Sequence, residues 1–504
     1  MIPPPRIGAQ VRRGVAVTGG IDVLRQVVEL AGGIVMARLL RPEDFGIVAV
    51  VMSFLQISHT VGNLGMGAAV VQTRTLEHDT ADTAFTVSTL VALGLTLAGV
   101  IAAPLAASFF RIDALTVAMP ILSLQVLLAG LSAVPVALLR RDLRFGRVAM
   151  VEGSATVLHA AVGIGMALAG YGFWSLVWAP VVTGVWTAVG ALLASGYRPR
   201  LSLPSRRVEG MLRFGGGLTL KNIFVFIGRN MDNLIVARML GEAATGLYTR
   251  AFNLTRLPQL RVVNLVYQVS YPAFCRLRDD ELRFHDMFER ASRLIALAVA
   301  PILLGLAALS EDFILGVLGP QWSAMTLPLS LLAGAALVNS LHTLVGAAIE
   351  ASGRVSVEVF TQGTYALMIV VGTLVGAHWG IEGVSCAVLV SAVLFFALKA
   401  ATVHLALGMP MRRFIRPVFG PVVAAGVMFA VVRVFLAVGG TEFASLAPSH
   451  HVTRLFAGAA AGALTYISLL PLVASEHVKL LRQQIARLRT ELQTAAASSH
   501  VGTG

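Results

Sequence analysis

Eight ionisable residues stand inside stretches that are otherwise apolar, and their spacing is helical. Asp22, Arg25 and Glu29 follow an i, i+3, i+7 pattern that sets them on one helix face, with Gln26 and Gly33 beside them. Lys221 and Asp232 are eleven residues apart, three turns along one face, with Arg229 alongside, and Arg250, Asn253, Leu257 and Arg261 form a similar stripe. Charge inside a membrane span is costly and reads as functional. Two chemistries are open to this set. In the first, Arg25, Lys221, Arg229, Arg250 and Arg261 outnumber Asp22, Glu29 and Asp232 and form a cationic lumen that binds an anion. Guanidinium groups suit phosphate, and the three carboxylates would then serve ion coupling, because a nearby cation and desolvation pull their protonation in opposite directions. In the second, Asp22–Arg25–Glu29 and Arg229–Asp232 are internally paired charges that hold helices together. The surplus of cations favours the first, since paired structural charge should cancel.

These residues need helices that cross a bilayer. The chain of 504 residues is 56% hydrophobic and only 13% charged, with a mean hydropathy of +0.79, a balance no ordinary soluble domain can bury. Fourteen apolar runs, from Gly14–Leu40 through Met211–Leu240 and Thr245–Tyr271 to Val452–Ala474, are each long enough to span. The first is too long and too polar for a cleaved leader and reads as a span. Loop charge alternates: 26 Lys and Arg lie on the side of the N-terminus and three, Arg41, Arg111 and Arg454, on the other. By the positive-inside rule both termini are expected in the cytoplasm.

A second regularity is internal. Shifted by 200 positions, Ile34–Ile47 lies over Leu234–Leu247, with Ala37, Arg38, Leu40 and Gly46 matching Ala237, Arg238, Leu240 and Gly246. Gly170–Val177 likewise resembles Ala377–Val384. Six crossings per copy give both halves one orientation, hence parallel repeats about an axis along the membrane normal. The expected architecture is an all-α integral membrane protein. It has an N-terminal six-helix lobe (residues 1–200), a C-terminal six-helix lobe (201–410), two additional transmembrane helices (411–474), and a cytoplasmic amphipathic helix with a disordered tail (475–504). Glu311 to Pro320 is apolar but too short to cross and reads as interfacial or re-entrant.

Several other chemistries are excluded. The net charge of +13 is spread over short loops rather than a basic patch on a soluble fold, so no nucleic-acid partner is expected. Gly62–Gly67 and Gly215–Gly217 lack the Lys-Ser/Thr of a phosphate loop. His450 and His451 have no acidic partner at ligand spacing, and Cys275 and Cys386 are too far apart in sequence to form a framework, so no metal or cofactor is expected. No soluble stretch is long enough for a nucleotide-binding domain, and no enzyme activity is expected.

The phrases Met36-Ala-Arg-Leu-Leu-Arg-Pro-Glu-Asp-Phe-Gly46, Gly62–Gln72 and Asp232-Asn-Leu-Ile-Val-Ala-Arg-Met-Leu-Gly, continuing through Gly246-Leu-Tyr248 to Leu257-Pro258, resemble polysaccharide-biosynthesis flippases of the Wzx type. That group shares a superfamily with the MATE drug exporters and the lipid II flippases. The resemblance implies movement of an undecaprenyl-diphosphate-linked oligosaccharide across the bacterial inner membrane, by alternating access between two six-helix lobes. The glycan would serve exopolysaccharide, capsule or lipopolysaccharide O-antigen synthesis. The partners implied are the lipid-linked oligosaccharide, membrane lipids, and a polysaccharide polymerase with export machinery. A lipid II flippase, a MATE-type exporter and a non-transporting scaffold of a glycan-assembly complex are the alternatives. Cation excess in the first helices fits drug export poorly, and a scaffold would have no need of charge at mid-bilayer.

Overall fold

The computed structural model describes residues 7–62, 78–200, 202, 219–438 and 450–473, and every regular element among them is helical. The amphipathic stretch 475–495, the tail after it, and the glycines of 63–67 and 215–217 lie outside the described residues, as do the side chains of Asp22 and Lys221. In chain order the long helices are α1 (Ile7–Leu39), α2 (Pro42–Gly62), α3 (His78–Phe110), α4 (Leu115–Arg141), α5 (Phe145–Leu168), α6 (Trp174–Ser195), α7 (Thr219–Leu277), α8 (Glu281–Ala308), α9 (Thr326–Ala351), α10 (Val355–Gly376), α11 (Gly380–Leu407), α12 (Met411–Val438) and α13 (His450–Val473). Among the described residues, nine segments are long and apolar enough to cross a membrane. The segment Val355–Leu407, at 53 residues, is more than twice a single span and is interrupted at Gly380. The chain is a multi-pass membrane protein.

Its 59-residue helix α7 is broken where the sequence separates two apolar runs: Gly241 has φ 84° and ψ −175°, a conformation closed to L side chains. Asp280 caps α8 by accepting a hydrogen bond from the Arg283 amide at 3.2 Å, satisfying one of the orphan donors of that helix start.

The chain forms two compact units. The first comprises Met1–Ala251, Val317–Pro328 and Val359–Val388. In it α4 packs between α3 and α6, α5 joins α6 and α1, and α2 lies on α4. Its core gathers Val51, Leu115, Leu122, Val177 and Ala237. Here the repeat has a physical consequence. A Cβ on Gly46 of α2 would stand 1.8 Å from the carbonyl oxygen of Glu242, and one on Gly246 of α7 would stand 1.8 Å from that of Pro42. Both pairs keep the register of 200, so each copy of the repeat offers a glycine to the backbone of the other. The segment after residue 311 folds as a π turn (Ile314–Leu318) and a 3-10 turn (Pro320–Met325). It serves the end of α1: Trp322 Nε1 and Gln321 Nε2 donate to the Ala37 carbonyl at 2.8 and 3.0 Å, and Arg38 Nε donates to the Val317 carbonyl at 2.7 Å. Those carbonyls of a helix end would otherwise lack partners.

The second unit comprises Phe252–Gly316, Leu329–Glu358 and Leu389–Gly504. Helix α12 packs against α8 and α13, over a core that includes Phe274, Phe288, Leu303, Phe414 and Val432. Leu193, Leu405 and Leu472, exposed by 78%, 81% and 80%, are where an apolar solvent is required.

Candidate functional site

Helix α1 carries the first expected cation. Arg25 lies 3.6 Å from Glu29 one turn on and 3.4 Å from Glu152 of α5. Glu152 also takes Arg140 of α4 at 3.1 Å. Glu152 stands outside the balance of charges drawn from the sequence, and its pairing corrects that count. Arg25 is compensated by two carboxylates, so the cationic surplus rests on other residues. The i, i+4 pair with Glu29 was legible in the spacing; the partner on α5 was not.

Helix α7 holds the densest polar group. Asp232 is buried, accepts from the Tyr248 hydroxyl at 2.7 Å and from the Asn233 amide at 2.8 Å, and one residue along on each side Thr249 donates to Asn233 at 3.0 Å. The Arg229–Asp232 pairing expected from their i, i+3 spacing is not formed. Arg229 is exposed and makes no ion pair among the described residues. A buried carboxylate needs donors, and the break at Gly241 folds the second half of α7 back so that Tyr248 supplies one from sixteen residues away.

Arg250, also in the second half of α7, reaches α1. Its Nη2 donates to the Gly33 carbonyl at 2.7 Å and its guanidinium stands 5.4 Å over the Phe45 ring. Gly33 is eight residues beyond Arg25, roughly 12 Å along the helix. The Nε of Arg250 has no hydrogen-bond partner among the described residues. A guanidinium carries five N–H donors, so most of its capacity remains for an anion.

Arg261 belongs to the second unit, where it is exposed. That unit also holds two polar centres the sequence reading did not select. Lys399 of α11 meets Glu358 of α10 at 2.6 Å, with both side chains almost fully buried. His451, expected to lack an acidic partner, lies 2.9 Å from Asp312, which also takes Arg454 at 3.2 Å. Lone charges in apolar helices were the available signal for Lys399 and Glu358, but nothing in their spacing links residues 41 positions apart. Among the described residues, no three His, Cys, Asp or Glu side chains gather as a metal site.

Arg250 keeps an Nε without a hydrogen-bond partner among the described residues, and Arg229 makes no ion pair among them, so both guanidinium groups have N–H donors of the kind an anion accepts.

The comparisons with known proteins follow the same lines. The family profile described as "Polysaccharide biosynthesis protein" matches residues 35–327. The succinoglycan biosynthesis transport protein ExoT of Rhizobium meliloti is 30% identical over 308 residues, 59% of this chain and 60% of that protein. The lipopolysaccharide biosynthesis protein WzxC of Escherichia coli is 24% identical over 329 residues, 64% of this chain and 66% of that protein. The chain thus spans about two thirds or less of the curated relatives it matches. The structure of a lipid II flippase, MurJ, in an inward closed conformation aligns with a TM-score of 0.71 at 11% identity, over 92% of this chain and all of that one, and the fold is that of the MOP transporters. Since the profile covers more than half of the sequence and includes Gly46, Asp232, Gly246 and Arg250, the chain belongs to the polysaccharide biosynthesis protein family.

Proposed function

We propose that this protein is a flippase that moves an undecaprenyl-diphosphate-linked oligosaccharide across the bacterial inner membrane for exopolysaccharide, capsule or O-antigen synthesis. The observation that carries the reading is Arg250: a half-buried guanidinium between α1 and α7, with one backbone hydrogen bond and one ring contact, and donors left over for a diphosphate. Family membership and a relative named as a succinoglycan biosynthesis transport protein support it. The cycle would be alternating access between two six-helix lobes, residues 1–200 and 201–410, in a chain of fourteen crossings with both termini cytoplasmic. Arg25, Lys221, Arg229, Arg250 and Arg261 would bind substrate, and Asp22, Glu29 and Asp232 would couple it to an ion. Arg25 would meet the diphosphate by exchanging Glu29 or Glu152 for it.

The test is transport by the purified full chain in liposomes, with a lipid-linked oligosaccharide in the inner or outer leaflet. A charge-assisted hydrogen bond contributes roughly 1.5–3 kcal/mol, so Arg250→Ala and Arg229→Ala should each lower the rate about tenfold to a hundredfold. Arg250→Lys should recover part of it, lacking the bidentate fork. Wild-type rates from both alanine variants would remove the reading.

A further inference from the structure

The matched arginines of the repeat have different surroundings, and the difference marks a second site. Arg38 is bonded to a backbone carbonyl. Arg238, its counterpart, lines a cavity of about 480 Å³ together with Phe54 of α2, Leu105 and Phe109 of α3, Met231 and Leu234 of α7, and Leu374 of α10. That volume is within the range of pockets that hold a small molecule or a lipid chain. Among the described residues, Arg238 is the one charged residue in the lining. Its guanidinium lies 5.3 Å over the Phe109 ring, and it forms no ion pair among the described residues.

Position completes the picture. Arg238 precedes the break at Gly241 by three residues, roughly 5 Å of helix, and Phe109 is in the last turn of α3. The charge is therefore at helix-end level and the apolar floor runs inward from it. Leu105 and Phe109 are 69% and 58% exposed, so the cavity opens where the apolar faces of α3 meet lipid. A cation at the interface with a hydrocarbon-lined cleft beneath it matches a molecule with an anionic head and a long chain.

We propose that this cavity binds one chain of a membrane glycerophospholipid, with its phosphodiester on Arg238. Charge chooses the occupant. A phosphodiester carries one negative charge and meets one guanidinium, whereas a diphosphate carries at least two and would find a single cation in the lining. The bound lipid lies between helices of both repeats, α2 and α3 on one side and α7 on the other. By the expected orientation it comes from the outer leaflet. This site is separate from Arg250 and does not depend on the transport reading.

Native mass spectrometry of the full chain, released from vesicles of phosphatidylglycerol and phosphatidylethanolamine with a farnesyl-length prenyl diphosphate added, tests it. The wild type should keep one phospholipid. Arg238→Gln should lower its retention about tenfold, and Leu105→Trp, which fills the cleft with Arg238 intact, should do the same. Leu193→Trp, on lipid-facing α6, should keep it. Equal retention by Arg238→Gln and the wild type, no retained lipid in the wild type, or displacement of the phospholipid by the prenyl diphosphate would each overturn the proposal.

Discussion

Lys399 donates to Glu358 at 2.6 Å inside the second unit, and neither side chain reaches the surface. The pair sits in a prepared slot: a Cβ on Gly346 of α9 would lie 2.9 Å from the Glu358 carboxylate, and the Phe395 ring lies 5.2 Å from the ammonium. Removing one partner strands a buried charge and costs about 3–5 kcal/mol. Lys399→Met and Glu358→Leu should each lower the unfolding midpoint in detergent, while the double variant should regain more than half of the loss. Additive losses in the double variant would show that the two charges do not stabilise each other.

The glycine crossing makes a stricter demand. An alanine at Gly46 or Gly246 brings a Cβ to 1.8 Å from a carbonyl oxygen, so the helices must part, at a cost of about 3 kcal/mol. Gly94 and Gly426 have open space at the same point, and their alanine variants should be neutral. Thermal unfolding of the four variants separates crossing glycines from permissive ones; equal midpoints would contradict the contact.

Glu242, in the turn between the halves of α7, has its pKa raised from the ordinary 4.5 by burial first and then by Glu43 and Asp44. A raised carboxyl pKa means that the folded state holds its proton longer, so stability declines as pH climbs from 4.5 through the folded value. Glu242→Gln should therefore be more stable than the wild type at pH 7 and indistinguishable from it near pH 4.5, in unfolding scans across that range. A gap that widens toward acid pH would reverse the sign and the cause.

Orientation is accessible to labelling. Cys275 and Cys386 are exposed and must first become serine. In that background Arg278→Cys should react with an impermeant maleimide only after spheroplasts are opened, because the 26-to-3 loop asymmetry puts it inside. Reaction in intact spheroplasts would invert the topology.

What the sequence determined by itself was local. Apolar run lengths set which segments can span, since a bilayer fixes the number of residues a helix needs. Helical periodicity set Arg25 and Glu29 on one face, and their pair is formed. The register of 200 matched Gly46 to Gly246, and those two residues meet the same feature of each other's segment. Tertiary structure decided the partners. Arg25 pairs with Glu152, Asp232 accepts from the Tyr248 hydroxyl and makes no pair with Arg229, Lys399 pairs with Glu358, and His451 lies against Asp312. Spacing within one helix says which side chains share a face but not which helix that face will meet. Inside an apolar medium, a buried charge takes whichever donor or acceptor the packing delivers, and three of those four partners come from other helices or turns, 41 to 139 residues away.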